Sequence, residues 1–99
     1  MAVLAIFSGQ LTKSDYELLR REVNWEGNYA PGGVFHAAGF DENGGIHVAD
    51  VWESKEHLDA FVAERLVPAF QKHNLQPPQV SVYPVHNVNA YSSIDKYKV

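Results

Sequence analysis

The sequence predicts an α+β fold in the order βαββαβ, a four-stranded antiparallel sheet carrying two helices on one face. Three observations predict it. Two stretches repeat apolar residues at helical spacing between start and stop signals. Four other apolar runs are too short for helices and have the length of strands. An Asn43-Gly44 pair stands between two of those runs, the strongest short hairpin signal. The 99 residues allow one domain and leave no room for a two-lobed enzyme or an eight-stranded α/β barrel.

The first run, Ala2-Val3-Leu4-Ala5-Ile6-Phe7, ends at Ser8-Gly9 and reads as a strand. Its residues do not alternate with polar ones, so both faces require cover. Thr12 caps the first helix, Asp15 is a weak capping-box partner, and Leu11 and Tyr16 have the spacing of a hydrophobic staple. Tyr16, Leu19 and Val23 follow helical spacing with Leu18 beside them, while Arg20, Arg21 and Glu22 lie toward water. Gly27, Pro31, Gly32 and Gly33 make 24–33 a loop. Val34–Phe40 and Ile46–Trp52 are the hairpin strands. Ser54 caps a second helix with an apolar stripe of Leu58, Phe61, Val62, Leu66, Ala69 and Phe70. Pro68 inside that stripe demands a kink or a fresh turn. Asn74 stops the helix and Pro77-Pro78 forbid its continuation. Val80–Val85 is the last strand, with Val80, Val82 and Pro84 on one side and Ser81, Tyr83 and Val85 on the other.

Right-handed crossovers set both helices on one sheet face, the split-βαβ or ferredoxin-like plan, and leave the other face bare. Ala2–Phe7 and Val34–Phe40 carry apolar groups on both sides. A second sheet must therefore pack there, most economically from an identical chain by two-fold symmetry. The expected assembly is a homodimer closed through its sheets into an α+β barrel. Residues 1–88 are expected to form this domain, and 89–99 a C-terminal tail ordered on the partner.

Eight Lys and Arg against twelve Asp and Glu give a net charge of -4. No basic cluster exceeds Arg20-Arg21, so a nucleic-acid footprint is absent. The lack of cysteine excludes disulfides, thiolate nucleophiles and Cys-type zinc sites. Met1–Phe7 is too short for a signal peptide or membrane span, and the expected location is the cytoplasm. The five histidines, His36, His47, His57, His73 and His86, contain no pair at the i, i+4 spacing of a zinc helix. His73 suits the end of the second helix, where a positive charge is favoured. No metal or cofactor is expected.

Several pieces together resemble a known group. They are Leu11-Thr12 leading into Tyr16-Glu17, Gly33-Val34-Phe35-His36-Ala37-Ala38-Gly39, Asp50-Val51-Trp52-Glu53-Ser54, Leu66-Val67-Pro68-Ala69 and Pro84-Val85-His86-Asn87. Over residues 2–88 the chain resembles the small dimeric α+β-barrel proteins, within the superfamily that includes antibiotic biosynthesis monooxygenases. The Asp50–Ser54 block entering a helix is the most specific piece. The resemblance implies a cavity between sheet and helices, or within the barrel, used by members for cofactor-free oxygenation, haem breakdown or lactone isomerisation. Fold analogy does not choose among these. A haem reading needs an axial ligand on the helix side, and no unambiguous one exists.

His36 lies mid-strand, where an imidazole needs a hydrogen bond or a polar cavity. A three-residue loop Glu42-Asn43-Gly44 pairs Asp41 with Gly45 and sets His36 opposite Asp50; a two-residue Asn43-Gly44 turn sets it opposite Val51 instead. The first is favoured because Asp50 also needs a partner. The pair is then either an acid/base group, with His36 as base and Asp50 as its orienter, or a buried polar pair that fixes register. The resemblance extends a cavity-lining role to Trp52, which shares a face with Asp50; the alternative is a core indole. Tyr83 and His86 near the end of the last strand are further cavity candidates, His86 alternatively capping a sheet edge. Trp25 and Tyr29 either form a lid or pack on the domain or on a partner. The reading is a dimeric protein with an internal cavity for a small apolar or aromatic molecule, acting as a cofactor-independent monooxygenase-like or isomerase-like enzyme. The alternative is a non-catalytic dimeric binding or structural module.

Overall fold

The computed structural model describes all 99 residues. Strand β1 (Val3–Gly9) leads to helix α1 (Lys13–Val23), then strands β2 (Gly33–Phe40) and β3 (Ile46–Trp52). Helix α2 (Lys55–Phe61) passes through a π-helical segment, Val62–Leu66, into α3 (Val67–Lys72). Strand β4 (Gln79–Pro84) and a 3-10 turn, Ser92–Lys96, complete the chain. The four strands form one antiparallel sheet in the order β2-β3-β1-β4, the expected βαββαβ topology.

Local chemistry accounts for each boundary. The Thr12 hydroxyl accepts from the Asp15 backbone and the Asp15 carboxylate accepts in return from the Thr12 backbone, a complete capping box. Asn24 ends α1 in a left-handed conformation, φ 57°. At Pro68 a fresh turn starts, as α3 opens after the π-helical segment. The Val67 N–H bonds back to the Val62 carbonyl, five residues earlier, and this wider turn lets Pro68 enter the first turn of α3, where a missing N–H is tolerated. In the hairpin, Asp41 N–H bonds the Gly45 carbonyl and Gly44 has φ 81°, so the three-residue loop is the one formed.

The core lies between the sheet and the helices. Val3, Ala5, Phe7, Ile46 and Trp52 project from the strands onto Leu19 and Val23 of α1 and Leu58, Phe61, Ala69 and Phe70 of the second helix. Glu22 of α1 pairs with Lys72 and His73; the Lys72 hydrogen bond, then that of His73, hold its carboxyl below the usual range. Arg65 donates to the Val23 and Asn28 carbonyls at 2.8 and 2.7 Å, which pins the loop after α1.

The opposite face carries no second sheet and no α-helix. Ile6 and Phe35 are each 38% exposed and Tyr83 53%. Part of this face lies beneath the tail. Val88, Tyr91, Ile94 and Tyr97 join Phe35 and Val51 around a groove of about 450 Å3, and Val51 is buried.

Candidate functional site

The site begins with hairpin register. His36 stands opposite Asp50 across β2 and β3, and alternation turns both side chains toward the helices with Trp52. A one-residue irregularity between Gly33 and Phe35 confines the register shift to the start of β2, before His36. The Asp50 carboxylate is buried, 6% exposed. Its two oxygens have different partners: His36 Nδ1 at 2.6 Å and the Trp52 indole N–H at 3.2 Å. Trp52, 5% exposed, rests against Phe61 with ring centroids 5.1 Å apart. It is thus a core indole and an orienter of Asp50 at once.

The other imidazole nitrogen is also engaged. The Tyr16 hydroxyl lies 2.8 Å from His36 Nε2, and the two ring planes are parallel within 5°. A carboxylate accepts only, so it fixes the hydrogen on Nδ1; in the neutral ring Nε2 then accepts from the Tyr16 O–H. The line Tyr16–His36–Asp50–Trp52 therefore runs from α1 across the edge strand β2 into the core. Burial pushes the Tyr16 phenol up to about 12. Arg20 opposes this, while Glu17, Glu26 and Asp50 add to it.

Aromatic rings surround the outer end of this line. Trp25 lies 5.8 Å from Tyr16 and 5.4 Å from His36, and Phe40 lies 6.0 Å from Tyr16, centroid to centroid. The loop carrying Trp25 is held by Arg65, and by Arg20, which binds Glu26 of that loop and Glu17 of α1. Trp25 is thus packed on the domain as a wall beside His36, while Tyr29 is exposed.

The cavity candidates do not all converge. Trp52 joins His36 and Asp50. Tyr83 pairs with Leu4, one position out of phase with the Val82–Ala5–Asp50 row, so its side chain is on the opposite sheet face. His86 lies beyond the end of β4 and is exposed. The remaining histidines have local partners: His47 with Asp41, His57 with Ser54 and His73 with Glu22. No cluster of three histidine or carboxylate side chains is placed to hold a metal ion. Tyr16 is the residue that sequence reasoning missed as part of the site. The available signal was a phenol on an otherwise apolar helix stripe, since a buried hydroxyl needs a partner.

No family model matches the chain and no curated protein sequence matches it. Solved structures do. Rv0793 from Mycobacterium tuberculosis superposes with a TM-score of 0.69 at 13% identity, covering 91% of this chain and 100% of that one. SnoaB, a cofactor-independent oxygenase from Streptomyces nogalater, gives 0.66 at 12% identity, covering 88% and 95%. A candidate antibiotic biosynthesis monooxygenase from Chloroflexus aurantiacus gives 0.63 at 17%, covering 90% and 98%. The chain thus has the ferredoxin-like fold of the antibiotic biosynthesis monooxygenase-like proteins. At these identities the likeness is one of fold, and it agrees with the resemblance carried by the sequence motifs. No helix is long and apolar enough to cross a membrane.

Proposed function

We propose that this protein is a cofactor-independent, monooxygenase-like enzyme for a small hydroxylated aromatic molecule, working as a homodimer. The observation that carries the reading is His36, 34% exposed at its side chain and held at 2.6 Å by a buried Asp50. A His36–Asp50 pair beside an aromatic-lined surface is suited to receiving the proton that a phenol, or a C–H conjugated to it, gives up. The resulting enolate or phenolate is electron-rich enough to react with dioxygen unaided. At an activated methylene the balance is simple: the carbon gains one oxygen atom as a carbonyl, and its two hydrogens leave with the second oxygen atom as water. The substrate supplies all the electrons. Desolvation beside Trp25 and Phe40 favours the reactive anion's encounter with oxygen over its hydration.

The test is oxygen uptake with a panel of hydroxylated aromatics bearing a ring-conjugated methylene. Uptake is expected for the wild type and a fall of about 10²–10⁴-fold for His36→Ala, with the far-ultraviolet dichroism unchanged. Equal uptake by both proteins would sink the reading and favour a binding or structural module.

The homodimer is supported by the sheet face opposite the helices, where Ile6 and Tyr83 stay exposed beside the part that the tail covers. The tail beside Phe35 and Val51 extends that apolar surface and is suited to reaching a partner. Light scattering is expected to give twice the 11.1 kDa chain mass, and Ile6→Glu to give the chain mass. A wild-type monomer at micromolar concentration would overturn the dimer.

A further inference from the structure

We infer that Tyr16, and not His36, is the group that meets the substrate hydroxyl, passing its own phenolic proton to His36 Nε2 as it takes the substrate's. The inference rests on the proposed reading of the site and identifies its substrate contact.

A base needs a free lone pair. In the neutral imidazole fixed by Asp50 that lone pair is on Nε2, and Tyr16 already occupies it at 2.8 Å. His36 can therefore accept a proton directly only if Tyr16 withdraws. The packing opposes withdrawal. Tyr16 is anchored in the first turns of α1, behind the Thr12–Asp15 capping box, and its ring is flanked by Trp25, His36 and Phe40 at centroid distances of 5.8, 6.1 and 6.0 Å. Trp25 is in turn on the loop held by Arg65 and Arg20.

Tyr16 itself has the complementary capacity. Its oxygen donates one hydrogen to Nε2 and keeps acceptor capacity for a second hydroxyl. A substrate O–H placed there completes a continuous path: substrate oxygen, Tyr16 oxygen, His36, Asp50. One proton moves along each of the first two links. The substrate becomes an oxyanion, Tyr16 ends as it began, and His36 becomes an imidazolium paired with Asp50. Atoms and charge balance with no further reactant. Burial keeps the free phenol protonated across the neutral range, so the path starts with the proton on Tyr16. The aromatic surroundings suit a planar phenol, its ring against Trp25 or Phe40 and its hydroxyl on Tyr16.

The experiment uses 4-nitrophenol, whose visible absorption reports its ionisation, with the full-length protein near the probe's own pKa, close to neutral and above the ordinary imidazole range. Binding to the wild type is expected to convert most of the bound probe to phenolate. Tyr16→Phe is expected to bind it more weakly and, at saturating probe, to leave the bound probe neutral, and His36→Gln to do the same. Nitrogen-15 shifts of His36 provide a second readout: Tyr16→Phe should move the Nε2 resonance and leave Nδ1 bonded to Asp50. Ionisation undiminished in Tyr16→Phe would overturn the relay and make His36 the direct base. Failure of the wild type to bind or ionise the probe would overturn it as well. The oxygenase reading is tested separately by oxygen uptake, which this measurement does not use.

Discussion

Asp50→Asn is expected to lower turnover about 10²–10⁴-fold while the protein stays folded. The carboxylate accepts from two donors, His36 Nδ1–H at one oxygen and the Trp52 indole N–H at the other. An asparagine has one accepting oxygen and one donating nitrogen. If the oxygen stays with the indole, the amide N–H2 faces Nδ1, and the imidazole must carry its hydrogen on Nε2 instead. The lone pair that receives a proton is then turned away from Tyr16. If the oxygen stays with His36, the amide donates toward the indole N–H, and a buried donor loses its partner at a cost of about 1–3 kcal/mol. Steady-state kinetics beside urea unfolding separates the two. Turnover within twofold of wild type would show that Asp50 only fixes the register of the hairpin.

Trp52→Ala is expected to lower the unfolding free energy by about 3–5 kcal/mol, since it empties a large buried volume against Phe61. A domain of this size has only about 5–15 kcal/mol in total, so the variant sits near the edge of folding. Trp52→Phe retains most of the apolar contact and loses the N–H bond to Asp50, at about 1–3 kcal/mol. Urea midpoints with unchanged slopes check both values. A loss below about 1 kcal/mol for Trp52→Ala would mean that the indole is not part of the core.

Much of this arrangement was legible because hairpin geometry is local. Asn43-Gly44 marked the turn, and the need of Asp50 for a partner favoured the three-residue loop, whose count places His36 opposite Asp50 as the structure has it. The Thr12–Asp15 box and the Ser54 cap were legible for the same reason: donor and acceptor lie within three residues. Alternation already separated Tyr83 from Val82, yet proximity to the strand end made Tyr83 a cavity candidate. In the folded chain the pleat outweighs that proximity and turns Tyr83 to the other face.

Sequence alone therefore determined the element order and the helix ends, and narrowed the hairpin to two registers, the favoured one pairing His36 with Asp50, because each depends on groups a few residues apart or on counting from a turn. Only the tertiary structure decided that Tyr16 closes on His36, that Trp25 stands beside them, and that the tail lies over Val51. The rotation of α1 about its axis is set by the summed packing of Leu19 and Val23 against the sheet and second helix, and no local signal encodes it. The helix's apolar stripe accounted for Tyr16 as a ring, and only the packed helix gave its hydroxyl a partner.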